Sequence, residues 1–216
     1  MGQDTRSWLN DAAMTFLALD VTSDNGTYIE IGAHRGRSMA FFADMLKSKV
    51  KKLHLIGYDV FDSATNDFHL HEDNYMNGGD FDKCFYILKK LSKRNQFNIT
   101  FDLVKGRTTE TLFSKKADWA YIDGGHSYET VKWDHEQLKD SRIIVFDDSD
   151  LPGVNRYLWE IKDQYNIYSL YKTDKSTPYH RQAIIINDTE NFKFDTVKLE
   201  KFQGHDPVKY ISPRKA

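Results

Sequence analysis

Apolar positions along this chain follow two alternating rhythms. Short runs, such as Tyr28, Ile29 and Ile31 or Leu53, Leu55 and Ile56, read as buried strands. Between them apolar residues recur every three or four positions, as Met39, Phe42, Ala43 and Leu46 do, which marks the inner face of a helix. On this reading a helix covers residues 7–19, with Leu9, Ala12, Ala13 and Phe16 on one face. The strand at 28–31 and its helix follow, then a strand at 53–58. A helix at 81–94 turns Phe81, Cys84, Phe85, Leu88 and Leu91 inward. Strands at 97–104, 117–122 and 142–146 alternate with a short helix at 108–113 and a longer one carrying Tyr128, Val131 and Leu138. Pro152 suits the first turn of a further helix with Val154, Tyr157, Leu158 and Ile161. Two last strands, near 167–171 and 182–186, leave little room for a crossover, so an antiparallel hairpin is expected there.

This alternation predicts an α/β fold: Rossmann-like, doubly wound, with a mostly parallel seven-stranded sheet and helices on both faces. Residues 1–203 read as one domain and 204–216 as a flexible tail with two prolines and several basic residues. The stretch 61–80 is long, polar and aromatic, and is expected to form a flap beside the substrate. Its His69, His71, Glu72 and Asp73 match no metal-ligand spacing and read as a solvated loop.

Composition narrows the classes. With 216 residues, 40% of them hydrophobic, the chain can bury a substantial core. A net charge of −2 gives no electrostatic reason to expect a nucleic-acid partner. Cys84 is the single cysteine, which excludes an internal disulfide and a multi-cysteine zinc site; it reads as a core residue. No apolar run has membrane-spanning length, and the N-terminus has no signal-peptide core, so a cytoplasmic protein without membrane contact is expected. Homo-oligomerisation stays open.

The candidate chemistry sits at strand ends. Glu30-Ile31-Gly32-Ala33-His34-Arg35-Gly36 joins a strand to a helix as Glu-x-Gly-x-x-x-Gly, not as Gly-x-Gly-x-x-Gly. A carboxylate there repels a pyrophosphate and attracts an ammonium. The pattern favours S-adenosylmethionine over a dinucleotide and counts against a nicotinamide-dependent oxidoreductase, the alternative enzyme class. Asp59 ends the second strand, where nucleoside-binding α/β folds hold ribose hydroxyls. Arg35 and Arg37 are read as facing water, with carboxylate or phosphate binding the other option. Asp123-Gly124-Gly125-His126 and Asp147-Asp148 follow two further strands one crossover apart. Their three carboxylates should converge, and a hard divalent ion, magnesium above all, is the simplest relief of that charge.

Tyr28–Ser38, Gly57–Asp59, Tyr121–Tyr128 and Ile144–Asp148 together resemble class I S-adenosylmethionine-dependent methyltransferases, and more narrowly the macrocin-type branch of macrolide-sugar and aminocoumarin-sugar O-methyltransferases. The similarity runs from Tyr28 to about Val154. It implies a magnesium-assisted O-methyltransferase acting on a hydroxyl of a small molecule or saccharide. Carried over, the metal ligands are Asp123, Asp147 and Asp148, and the catalytic residues are His126, as base, and Asp123. The cofactor contacts become Glu30, Gly32, Ala33, Gly36, Ser38, Asp59, Gly106 and Asp123. Gly106-Arg107-Thr108 stands where such enzymes often carry an acid, so the adenine contacts are less defined. A catalytically silent nucleoside-binding module is the remaining alternative.

Overall fold

A computed structural model describes residues 6–61, 79–94, 98–170 and 182–204. The expected flap at 61–80, apart from its ends, and the expected tail beyond Gly204 lie outside the described residues. The elements run α1 (Arg6–Ala18), β1 (Asn25–Ile31), α2 (Arg37–Leu46), β2 (Lys52–Asp59), α3 (Phe81–Arg94), β3 (Asn98–Lys105), α4 (Thr108–Thr111), β4 (Trp119–Ile122), α5 (Tyr128–Leu138), β5 (Ile143–Phe146), α6 (Pro152–Ile161), β6 (Ile167–Leu170), β7 (Gln182–Ile186) and β8 (Glu200–Lys201).

The strands form one sheet in the order β3-β2-β1-β4-β5-β7-β6-β8. β1 to β5 are mutually parallel, and β7 runs antiparallel to both β5 and β6. The expected closing hairpin is therefore present. The sheet has eight strands rather than seven because the two-residue β8 pairs with Tyr168 and Ser169 of β6. Between β1 and β4 the direction of winding reverses. Such a switch point opens a crevice at the carboxyl ends of the strands, where ligands of open α/β sheets bind.

The period of two along each central strand divides the core into two layers. Tyr28, Trp119, Tyr121, Ile143 and Val145 face one layer with Phe16, Met39, Phe42 and Leu88 from α1, α2 and α3. Ile29, Ile31, Ala120, Ile122, Ile144 and Phe146 face the other with Val131, Leu138, Val154 and Leu158 from α5 and α6. All four residues of β4 and of β5 are buried, as strands covered on both faces require. In the first layer Phe42 meets Phe16, Tyr28 and Tyr121 at ring-centroid distances of 5.1, 5.6 and 5.3 Å. Cys84 is buried, and burial pushes its thiol up to about 12, which makes it an inert core residue. Phe81 and Phe85 depart from the expected inward pattern: Phe85 is 41% exposed. They lie on α3 beside β3, the outermost strand, where less sheet surface is available to cover them.

Candidate active site

The turn after β1 is held from below by Glu30. Residues two apart on a strand share a face, so Tyr28 lies beside Glu30 and its hydroxyl donates to one carboxylate oxygen. The hydroxyl of Ser38, in the first turn of α2, donates to the other. Glu30 is fully buried, so its carboxylate ties strand to helix behind the turn. Burial, reinforced by the charges of Asp59 and Asp147, raises its carboxyl from 4.5 to about 8 despite both hydrogen bonds. Burial thus disfavours the charged form of Glu30, and a cationic ligand in the crevice would favour it.

Gly32 has φ 86, and a Cβ there would stand 1.9 Å from the carbonyl oxygen of Asp123. Only glycine lets the β1 turn lie directly on the end of β4. The Gly32 and Ala33 N–H groups both donate to the Tyr58 carbonyl, at 2.8 and 3.2 Å. His34, in the left-handed region at φ 47, donates its N–H to Asp59 Oδ2 at 2.7 Å. Gly36, φ 69, precedes α2 and donates to the Ala33 carbonyl. The expected cofactor residues Glu30, Gly32, Ala33, Gly36 and Ser38 thus form one connected turn.

Asp59 joins the same region. Its Oδ1 accepts from the Phe61 N–H at 2.7 Å, and its carbonyl accepts from the Gly106 N–H at 3.0 Å. The tip of β2 and the loop after β3 are thereby fastened together, and Asp59 and Gly106 become neighbours. Gly79 packs against the Asp59 carboxylate so closely that a Cβ would stand 2.4 Å from Oδ1. Each Asp59 oxygen keeps a lone pair beyond its backbone bond, which leaves acceptor capacity for a diol.

At the ends of the adjacent parallel strands β4 and β5, Asp123, His126 and Asp148 offer ligand atoms that all lie within 4.8 Å of one another. His126 Nε2 stands 3.4 Å from Asp148 Oδ2, with the two side chains 20% and 13% exposed. Asp148 adopts φ 51, an unusual backbone for a non-glycine residue. Of the expected trio of acids, Asp123 and Asp148 belong to this group. Asp147 lies outside this group and is buried, its Oδ1 accepting from Gln182 Nε2 at 3.1 Å. The Tyr121 hydroxyl is a further donor to it. Both acids follow the end of β5, and the left-handed backbone at Asp148 parts their carboxylates: Asp148 faces His126, while Asp147 stays with Gln182, its charge still acting on Asp123. His126 stands beside Asp148 instead.

Burial, and then the charges of Asp147 and Asp148, raise the Asp123 carboxyl well above the usual range. Burial and Asp148 lift Asp147 to about 6, against the hydrogen bonds from Gln182 and Tyr121. Acids so close strain one another, and a bound cation relieves them. The two carboxylates, Asp123 and Asp148, fit a hard divalent ion at this spacing, with the His126 imidazole beside them. Gln182 and Tyr121 were not singled out as site residues. Gln182 is the one polar residue on a strand that otherwise reads Ala-Ile-Ile-Ile, and that break in an apolar run was the available signal.

A family model described as "Methyltransferase domain" matches residues 29–149, more than half of the chain. No curated protein is matched by the sequence. Among solved structures, a Listeria monocytogenes protein assigned to the class I S-adenosylmethionine-dependent methyltransferases is 14% identical, with a TM-score of 0.55. The match covers 91% of this chain and 62% of that one. A Klebsiella pneumoniae protein designated an O-methyltransferase is 12% identical over 86% of this chain and 81% of its own, with a TM-score of 0.52. Spermidine synthase from Thermotoga maritima is 12% identical over 94% and 70%, with a TM-score of 0.50. At such identities the likeness is one of fold, and a fold shared with a synthase does not by itself specify methyl transfer.

Proposed function

The chain belongs to the methyltransferase-domain family as an S-adenosylmethionine-dependent enzyme, and from that premise we propose that it methylates a hydroxyl oxygen with the help of a divalent cation, magnesium first. The observation that carries this reading is the convergence of Asp123, His126 and Asp148 within 4.8 Å at the switch-point end of the sheet. The motif resemblance to macrocin-type enzymes favours a saccharide or other small hydroxylated acceptor.

S-adenosylmethionine, when bound, supplies an electrophilic methyl group on a positively charged sulfur. The acids Glu30, Asp59, Asp123 and Asp147 act on one another electrostatically and disfavour one another's charged forms, so a cationic ligand in the crevice gains by relieving them. Glu30 sets the position of Ser38 and of the turn, and Asp59 offers acceptors to ribose hydroxyls. A divalent ion held by Asp123 and Asp148 would lower the pKa of an acceptor hydroxyl and neutralise its developing charge. His126 takes the proton that the acceptor oxygen loses, and Asp148, 3.4 Å from Nε2, stabilises the resulting imidazolium. Gln182 and Tyr121 hold Asp147 in place beneath the pair.

The experiment is a screen of hydroxylated sugars and catechols with S-adenosylmethionine, reading S-adenosylhomocysteine formed. Activity should vanish in excess EDTA and return with magnesium. Asp148→Asn should weaken magnesium binding while sparing S-adenosylhomocysteine binding. Full turnover in excess EDTA would remove the cation from the reaction. No element among the described residues is a helix long and apolar enough to cross a membrane.

A further inference from the structure

His126 and Asp148 stand on two different turns, and each turn leads into a helix. His126 directly precedes Ser127, the N-cap of α5, whose hydroxyl accepts from the Thr130 N–H at 3.2 Å. Asp148 follows β5, and its carbonyl accepts from the N–H of Leu151, the N-cap of α6, at 2.8 Å. Each side chain therefore travels with the start of its own helix. Tyr128, the first residue of α5, clamps the two helices together. Its ring lies edge-on to Tyr157 at 5.9 Å and under the Arg156 guanidinium at 4.5 Å, and its hydroxyl donates to Glu160.

Gly153 lies where the helix starts meet. It follows Pro152 in the first turn of α6. A Cβ there would stand 2.2 Å from the His126 carbonyl oxygen, 2.8 Å from the Tyr128 nitrogen and 3.0 Å from the Ser127 carbonyl carbon. All three are backbone atoms, so no side chain can swing aside to make room. Gly153 has no left-handed φ, unlike Gly32 and Gly36. The helix itself would accept alanine, the better helix former. What demands glycine at this position is the approach of the His126 turn alone.

A side chain at 153 would displace one partner more than the other. Real Cβ contacts essentially never fall below 3.0 Å, so turn and helix must part by 3.0 − 2.2 = 0.8 Å. The start of α6 is held by the Leu151–Asp148 hydrogen bond and by buried Val154, Tyr157 and Leu158. The His126 turn is the softer partner, since Gly124 and Gly125 precede it. His126 therefore yields, while Asp123, ahead of the glycines, and Asp148 stay. Carried to the ring, this shift ends the 3.4 Å approach of Nε2 to Asp148 Oδ2 and takes the two out of ion-pair contact.

We propose that Gly153 is a positioning residue for His126: by letting the first turn of α6 rest on the His126 carbonyl, it holds the imidazole beside Asp148, where it takes the acceptor's proton. The proposal rests on the reading of His126 as the base and adds the residue on which its placement depends. Gly153 acts through the backbone of another residue and takes no part in the proton transfer itself.

The first test needs no turnover. In isotopically labelled protein saturated with S-adenosylhomocysteine, the NMR signals of the His126 ring are identified by their loss in His126→Ala. Gly153→Ala should shift them. Val154→Ala, a truncation one residue on that loosens α6 without pushing on the turn, should leave them in place while lowering the melting temperature. Pro152→Gly frees the entry to α6 without adding a side chain. It should shift the same signals to a smaller extent, and it carries the test if Gly153→Ala does not fold. Magnesium affinity, read by calorimetry, should be unchanged in Gly153→Ala. Unmoved His126 signals would overturn the proposal, and so would a loss of magnesium binding, because Asp148 rather than His126 would then be the residue displaced. With the acceptor that the sugar and catechol screen yields, Gly153→Ala should lower kcat by roughly 10- to 100-fold at an unchanged KM. In a His126→Ala background it should cost nothing further. An equal loss in both backgrounds overturns the proposal, because the glycine would then act independently of the imidazole. Full turnover in His126→Ala defeats the base reading itself, whereas a His126→Ala loss joined to a harmless Gly153→Ala sinks only this proposal.

Discussion

Replacing Gly32 by alanine tests the contact on which the whole crevice depends. The added Cβ would lie 1.9 Å from the Asp123 carbonyl oxygen and 2.6 Å from its carbon. Contacts of a real Cβ essentially never fall below 3.0 Å, so the two turns must part by 3.0 − 1.9 = 1.1 Å. A non-glycine residue at φ 86 adds strain of about 1–2 kcal/mol. Forcing apart well-packed backbone adds about 1–3 kcal/mol. A loss of roughly 2–5 kcal/mol lowers the melting temperature of a chain this size by roughly 4–20 °C. The functional effect should be larger than the thermal one. The β1 turn carries the Ser38–Glu30 link, and the other turn carries Asp123, so the cofactor and cation positions shift against each other. A misplacement of about 1 Å costs on the order of 10²-fold in turnover. Differential scanning fluorimetry and S-adenosylhomocysteine release assays read the two quantities. A melting temperature within about 2 °C of wild type, together with full turnover, would refute the argument that close approach of these two turns builds the site.

Two further perturbations address the buried acids. Because burial raises the Glu30 carboxyl from 4.5 to about 8, the folded protein keeps a proton that the unfolded chain releases. The stabilisation is therefore complete below about pH 4.5 and lost as pH rises to about 8. Glu30→Gln should flatten the fall in unfolding free energy measured by urea titration across this window, by up to ~1.4 kcal/mol per pH unit, and parallel wild-type and variant profiles would contradict the assignment. His126→Ala should lower turnover by about 10²–10⁴-fold while leaving magnesium binding intact; a collapse of metal affinity instead would make His126 a ligand rather than the base.

Much of the fold was legible in the chain because it depends on periodicity. Runs such as Trp119–Ile122 and Ile143–Phe146 have to be covered on both faces, and the helical spacing of Met39, Phe42, Ala43 and Leu46 supplies the cover. Parallel strands joined by helices bring their carboxyl ends to one side, so the sequence alone placed Glu30, Asp59, Asp123 and Asp148 on a common edge. Side-chain direction at that edge was not legible. Asp147 and Asp148 are adjacent and chemically identical, and only the left-handed turn at Asp148 and the donors on β4 and β7 decide which faces His126 and which is buried. Glu30 has the residue type to meet an ammonium, but the same-face Tyr28 and the distant Ser38 claim its oxygens first. Likewise, Arg35 and Arg37 read as solvated charges, and only the packing of α3 beside the β1 turn brings Asp82 and Lys83 near them. Local sequence determines which residues arrive at a strand end. What each one touches there depends on partners tens of residues away, and those are set only when the sheet and its helices pack.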